Sequence, residues 1–320
     1  MLSEHTLTAP APMAGTVTPT SLERPAFLMC PPFALDTGVA NNVWMEEYAE
    51  GERVLDRTRA TVQFLDLYHY LAAQSLVYLL PAPPTSGLQD QTFVANLAFI
   101  PEHLEQRETA IISQFTSQPR VGEEAYGHGF FEAMGYRVVD APHRFEGEAE
   151  IKHLHDNVYI GGYGERTDRA VYDWMEREFD MQVVAVEQRD PYCYHLDCSV
   201  FPLTTEETIV ATSLFTPAEV RAMEKVTGII DISAEDAYNG LTNSVRLRNL
   251  VLNSSHIHEM RADDRWYAGE RDKNRTLEDI CATRGMEPVF INVSEYFKSG
   301  ALLSCMIMHL NRHSYQIPLL

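Results

Sequence analysis

Five side chains of reactive type lie far apart along the chain: Asp90, Glu146, His195, Asp197 and Cys305. Together they supply a thiol that can attack as thiolate, an imidazole that can carry a proton, and carboxylates that can hold a cation. Singly, each has an ordinary reading. Cys305 sits in the apolar stretch FKSGALLSCMIMHLNRH (297–313), where a cysteine can serve as a small, inert core hydrophobe. A lone histidine beside a strand is more often a hydrogen-bonded structural residue, and an isolated carboxylate a solvated surface group. Chemistry therefore requires a fold that gathers distant segments. In YHLDCSVFPL (194–203) an extended backbone puts His195 and Asp197 on one face, because strand side chains alternate with period two. Under the same condition Asp90 and Asn96, six positions apart, line one wall.

The elements that must position these residues repeat. Five segments combine an amphipathic helix, a short break and a β-branched strand: DLYHYLAAQSLVYLLPAP from Asp66, GHGFFEAMGYRVVDAP from Gly127, VYDWMEREFDMQVVAVE from Val171, PAEVRAMEKVTGIIDIS from Pro217 and LEDICATRGMEPVFINVS from Leu277. In FTPAEV, Thr216 is an N-cap, Pro217 suits the first helical position and Glu219 completes a capping box. Gly135 and Gly285 stand where a left-handed helix terminus is wanted. A unit recurring every 45 to 60 residues or so points to a propeller or array, with a plain α/β sandwich as the alternative. After each unit's strand comes a polar stretch: GLQDQTFVANLAFI (87–100), HRFEGEAEIKHL (143–154), YHLDCSVFPL, YNGLTNSVRLRNL (238–250) and SGALLSCMIMHL (299–310). Arranged around an axis, these stretches converge on one central pocket.

Bulk composition narrows the function classes. The 320 residues, 45% hydrophobic, are enough for a large core, and no apolar run approaches a membrane span. Forty-six acidic against 25 basic residues give a net charge of -21, which disfavours nucleic acid and anionic membranes and favours a small cationic partner. Five cysteines without a CxxC pair read as free thiols in a reducing, cytoplasmic compartment. Cys193 and Cys198 flank His195, but no second cluster completes a tetrahedral metal site, so no metal is expected. Residues 1–23, rich in Thr, Ala and Pro and without a secretory pattern, read as a disordered leader, with 24–320 a single catalytic domain. No pattern bears on oligomeric state, and a homo-oligomer stays open.

FEGEAEIKHLHDNVYIGGYGERTD, YHLDCSVFPL, NSVRLRN, the terminal SGALLSCMIMHL and the early LMCPPFALDTGVANNVWM resemble, in order, motifs of the guanidine-modifying penteins. These are the arginine deiminases, arginine dihydrolases, dimethylarginine dimethylaminohydrolases and amidinotransferases. The resemblance spans about Ala26 to Asn311 and implies a five-bladed pseudo-symmetric α/β propeller with its active site on the axis. It implies Cys305 as nucleophile, His195 as general acid/base and Glu146 as catalytic carboxylate. It further implies substrate binding by Asp90 and Phe93 of an Asp-x-x-Phe motif, Asp197, and Arg166 as the grip on a substrate carboxylate. Asn42, Asn96, Asn243 and Arg246 belong to the same motifs and complete the expected substrate-binding set. Two departures stand out: Gly147, Glu148 and Ala149 replace the usual Gly-Gly-Asp, and Asn96 replaces an acid, as in the arginine dihydrolases.

The implied chemistry is attack of the Cys305 thiolate on a guanidinium carbon and loss of an amine protonated by His195. Water then hydrolyses the amidino-thioether. Release of citrulline is the deiminase outcome; a second round, giving ornithine, ammonia and carbon dioxide, is the dihydrolase outcome. An amide at Asn96 both accepts and donates hydrogen bonds and so can also address a neutral ureido oxygen. Transfer of the amidino group to an amine, and a non-catalytic binding pentein, are the competing readings. Thiol and imidazole suffice, so no cofactor is implied, and the expected ligand is a small guanidino compound such as arginine.

Overall fold

The computed structural model describes residues 18–49, 51–104, 108–317 and 319. The first unit contains β1 (Ala26–Met29), α1 (Val43–Glu47), α2 (Arg57–Ala72) and β2 (Leu76–Leu79). The second contains β3 (Ala98–Phe99), β4 (Thr109–Ile112), α3 (Glu123–Ala133) and β5 (Arg137–Asp140); the third β6 (Ile151–His155), β7 (Val158–Tyr163), α4 (Ala170–Phe179) and β8 (Gln182–Glu187). The fourth has β9 (Val200–Pro202), β10 (Glu207–Val210), α5 (Pro217–Met223) and β11 (Gly228–Asp231). The fifth has α6 (Ala234–Tyr238), β12 (Val245–Leu247), β13 (Leu250–Ser254), α7 (Tyr267–Ala282) and β14 (Glu287–Ile291), after which come α8 (Ser294–Phe297), β15 (Met308–His309) and α9 (His313–Gln316).

These strands make five three-stranded sheets, β15-β1-β2, β3-β4-β5, β6-β7-β8, β9-β10-β11 and β12-β13-β14. In each, the middle strand pairs antiparallel with the first neighbour and parallel with the second. Parallel pairing needs a crossover, and the helices α2, α3, α4, α5 and α7 supply it. The fold is the five-bladed α/β propeller that the family resemblance implied, and its blades are the five repeated units. Its ring closes through β15, which sets Phe27 opposite His309 and Leu28 opposite Met308.

The helices pack by periodicity. Phe64, Leu67 and Leu71 of α2 lie on one stripe against Phe27 and Met29, and Val171, Met175 and Phe179 of α4 against Ile151 and Tyr159. Each such side chain contributes about 1.5–3 kcal/mol when fully buried. The middle strands β4 and β7 are buried on both faces except for Tyr163 at the end of β7, and read as near-continuous apolar runs. The caps follow the sequence: Glu219 N donates to Thr216 Oγ1 while Thr216 N donates to Glu219 Oε2, and Gly135 and Gly285 have φ of 85° and 65°.

The expected leader covers residues 1–23. Residues 1–17 lie outside the described residues, but Thr18, Pro19 and Thr20 are buried, and Thr20 Oγ1 donates to Leu310 O at 2.7 Å. Tyr136 reaches the same hydroxyl at 2.6 Å, so this segment is tied to both the second blade and the closing strand. All five cysteines carry free thiols, and among the described residues no helix is long and apolar enough to cross a membrane.

Ahead of the antiparallel strand of each blade runs a short buried turn. Four are 3-10 turns, Val94–Asn96, Gly147–Ala149, Leu196–Cys198 and Ser304–Met306; the fifth blade has an irregular turn through Gly240 and Asn243. Gly147 shows how closely they pack: at φ 60°, a Cβ there would lie 2.7 Å from the carbonyl carbon and oxygen of Asn96. Gly147→Ala should therefore cost about 2–4 kcal/mol, the sum of a left-handed alanine and backbone overlap, read as a lowered midpoint in chemical denaturation.

Candidate active site

The five turns deliver the side chains. Asn96 ends the first turn, Glu146 and His195 immediately precede the second and third, Asn243 lies in the fourth, and Cys305 is the middle residue of the last. A small recess of about 20 Å³ is lined by Asp90, Phe93, Asn96, Glu146, Arg166, His195 and Cys305, with Asn41, Asn42 and Arg120 beside them. It adjoins a much larger cavity that shares Tyr194, His195, Ala301 and Cys305 as wall.

His195 Nε2 lies 2.8 Å from Glu146 Oε2, and Asn96 Nδ2 lies 3.3 Å from the imidazole and 3.4 Å from the carboxylate. Burial alone would raise the Glu146 pKa, but the His195 hydrogen bond and charge, with Arg166 and Arg120, outweigh it and hold the group at about 2. Glu146 is thus a carboxylate at neutral pH, able to orient the imidazole and stabilise its protonated form. Cys305 behaves in the opposite way. Burial, then the Asp197 charge, push its thiol up to about 12, against the hydrogen bonds from Leu302 and Asn243. Asn243 grips this turn with both ends of its amide: Oδ1 accepts from Ser304 N at 2.7 Å and Nδ2 donates to Cys305 Sγ at 3.5 Å.

Asp90 accepts from Asn41 Nδ2 at 2.6 Å through Oδ2, while its Oδ1 is buried without a hydrogen bond. Glu146 Oε1 is likewise buried without one, although Arg166 Nη1 approaches to 3.5 Å. Two carboxylate oxygens facing one recess with open acceptor capacity suit the N–H groups of a planar cation. Burial pushes Asp90 up to about 6 despite the opposing charge of Arg120 and the Asn41 hydrogen bond.

The structure departs from the expectations at several residues. His195 and Asp197 do not share an extended face, because Leu196–Cys198 winds into a 3-10 turn and breaks the alternation. Asp197 lines neither space and instead accepts from Ser304 Oγ at 2.7 Å, beneath the nucleophile. Asp90 and Asn96 do meet at the recess, but through turns and not through an extended strand. Arg246 is not at the site: strand β12 carries it outward, where it donates to the carbonyls of Leu203, Arg248 and Ile317 and stacks over Tyr315. Asn42 lines the recess, yet its amide donates to Ser299 O and caps α1, which makes it a brace between the start of α1 and the segment ahead of the last turn. Glu148, in the departure from Gly-Gly-Asp, turns away to accept from His309 N at 2.7 Å and pair with His309 Nδ1 at 2.5 Å.

The sequence reading missed four contributors. Arg120 pairs bidentately with Glu123 and stands 4.0 Å from Glu146; its only cue is the i,i+3 charge spacing in RVGE (120–123). Asn41, beside the Asn42 that was noticed, binds Asp90 and accepts from Arg166 through its carbonyl. Tyr194 forms a wall of both spaces, with Arg166 over its ring. Glu150, one helical turn's distance from Glu146, accepts from Leu196 N at 3.2 Å and is held well above the usual carboxylate range by burial and by the Glu146 charge.

Comparison with known proteins agrees with this geometry. The sequence model described as eukaryotic N,N-dimethylarginine dimethylhydrolase matches residues 32–312. The bifunctional arginine dihydrolase/ornithine cyclodeaminase AgrE of Nostoc sp. is 26% identical over 288 residues, covering 88% of this chain and 37% of that protein. The chain thus spans little more than a third of the length of this curated relative. The N(G),N(G)-dimethylarginine dimethylaminohydrolase of Mycobacterium tuberculosis is 25% identical over 294 residues, covering 89% of this chain and 85% of that one. The crystal structure of unliganded AgrE superposes with a TM-score of 0.77 at 25% identity, over 90% of this chain and 39% of that one. A Pseudomonas aeruginosa dimethylaminohydrolase structure with citrulline, at 18% identity, TM-score 0.64 and coverage of 89% and 99%, shares the fold.

Because the folded Asp90 binds its proton more tightly than the unfolded residue, its contribution to stability is present at low pH and lost as pH rises through about 6. Asp90→Asn should therefore stabilise the free protein by about 2 kcal/mol at pH 7 and by almost nothing at pH 4, measured by urea denaturation. Glu146 has the reverse sign: its contribution is full above the normal carboxylate range and lost as pH falls towards about 2.

Proposed function

The chain belongs to the N,N-dimethylarginine dimethylhydrolase family, and from that premise we propose that it hydrolyses the guanidino C–N bond of arginine or a close derivative through a covalent Cys305 intermediate. One observation carries the reading. Cys305 and the His195–Glu146 pair face a recess in which Asp90 and Glu146 each offer a buried carboxylate oxygen without a hydrogen bond. A guanidinium fits that requirement, since it is planar, permanently charged and presents its donors in forks.

The guanidinium is also what the thiol lacks. With its pKa near 12, Cys305 is protonated at neutral pH, and a cation bound against it favours the thiolate. The thiolate adds to the guanidinium carbon; His195, held by the Glu146 carboxylate, gives a proton to the departing nitrogen, and the C–N bond breaks. An amidino-thioether and a free amine or ammonia result. Water then loses a proton to His195 and attacks the same carbon, and the C–S bond breaks to return the thiol and release a ureido product. Asn96, within reach of both His195 and Glu146, is the residue whose amide suits a second round on that neutral product. This supports the dihydrolase outcome over a single deimination.

Mass spectrometry of guanidino compounds incubated with the protein, with and without an amine acceptor, tests the reading: the free amine of the substrate and ammonia are expected, ornithine where the compound is arginine, and an amidinated acceptor would mean transfer. Cys305→Ala should abolish turnover, and His195→Asn or Glu146→Gln should lower kcat by about 10²–10⁴-fold, the range of general acid–base contributions. Asn96→Asp should leave the first hydrolysis measurable but shift the product from ornithine to citrulline; unchanged ornithine would remove Asn96 from the second round.

A further inference from the structure

The larger cavity beside Cys305 has a volume of about 810 Å³, within the range of about 300–1,000 Å³ of sites that enclose drug-sized ligands. A guanidinium seated in the small recess would leave the rest of its molecule pointing into this space, because the two share Tyr194, His195 and Cys305.

The walls of the cavity are aromatic and acidic. Trp44 and Tyr192 meet edge to face at 4.9 Å, with Trp44 Nε1 donating to Tyr192 O, and Tyr238 lies 6.2 Å from Tyr192. The two tyrosine hydroxyls hold carboxylates in place: Tyr192 donates to Glu47 and Tyr238 to Asp190. Glu235 lines the same wall, and none of these three carboxylates forms an ion pair among the described residues. Glu270 also faces the cavity but is neutralised by Lys273 at 3.0 Å. On the positive side stands Arg265, over the ring of Trp266.

The two recess arginines do not reach this space: Arg120 is committed to Glu123 and Phe93 O, Arg166 donates to Asn41 O and keeps its Nε buried without a hydrogen bond, and neither lines the outer cavity. A carboxylate at the far end of the substrate would therefore meet a predominantly acidic wall, whereas a cation would meet π faces and carboxylates without ion pairs.

We propose that the guanidino substrate carries a second cationic group at its far end, in place of a free carboxylate, and that this group is held in the outer cavity by Trp44, Tyr192 and Tyr238 with Glu47, Asp190 and Glu235. The inference rests on the guanidino-hydrolase reading and narrows its substrate class to arginine derivatives that have lost or masked the carboxylate.

The test compares aminobutylguanidine, guanidinovaleric acid and pentylguanidine, which share a four-carbon spacer and end in a cation, an anion and a methyl group. The amine should exceed the acid in kcat/KM by at least about 10-fold at low ionic strength, as two or more partly exposed charge and cation–π contacts would give. The ratio should shrink with added salt, and by roughly 2- to 5-fold in each of Asp190→Asn and Glu235→Gln. Asparagine can still cap the Asp190 turn, so loss of fold does not confound that variant. A ratio of one or below, or arginine turned over faster than aminobutylguanidine, overturns this inference and leaves the hydrolase reading intact. Absence of turnover for every guanidino compound overturns the hydrolase reading, and this inference with it.

Discussion

Five turns packed around an axis have almost no access to water, so their polar side chains must satisfy one another. Asn96 reaches Glu146 and His195; Glu150 accepts from Leu196 N; Asp197 accepts from Ser304 Oγ; Asn243 holds Ser304 N and Cys305 Sγ. Each bond joins one blade to another. An unmatched donor or acceptor in such a place costs about 1–3 kcal/mol, so the residue type on one turn restricts what its neighbours can be. The stability of the ring and the alignment of the reactive groups are consequently one requirement. The glycine at 147 and the brace of Asn42 on Ser299 O belong to it, since both let neighbouring turns approach.

The electrostatics of the centre depend on the same exclusion of water. Burial separates the ionisable groups: Glu146 stays charged beside His195, while Asp90 and Cys305 are driven towards their neutral forms. In the proposed reaction the missing charge arrives with the substrate. A bound guanidinium restores ionisation of Asp90 and favours the thiolate together, so the nucleophile is strong only when something suitable lies against it. Selectivity and activation thereby share one cause.

Much of the architecture was legible because blades are local objects. The helical stripe of Val171, Met175 and Phe179, the Thr216–Glu219 capping box and the left-handed glycines at 135 and 285 each depend on neighbours a few residues away. Membership of the site was legible to the extent that motifs mark it, as for Cys305, His195, Glu146 and Asp90. The direction of individual side chains was not. A period-two argument assumes an extended chain, and the 3-10 turn at Leu196–Cys198 sends Asp197 to Ser304 instead. Arg246 shares a motif with Asn243, but Asn243 lies in the turn and Arg246 in the middle of β12, which carries its side chain to Leu203 O. Arg120 and Tyr194 gain their places only from tertiary packing, which no short pattern encodes.

The pairing of β15 with β1 has a consequence in time. Cys305 lies three residues ahead of the strand that docks onto the first blade, and its turn is held by side chains from the fourth and fifth blades. The reactive thiol therefore acquires its surroundings only when the ring shuts. During synthesis the earlier blades can form while the centre is still a set of unconnected turns, and the cysteine enters last, into a mould already shaped by the others. A copy that stops short of Ser304 lacks the thiol and the closing strand alike, so it holds no half-active site.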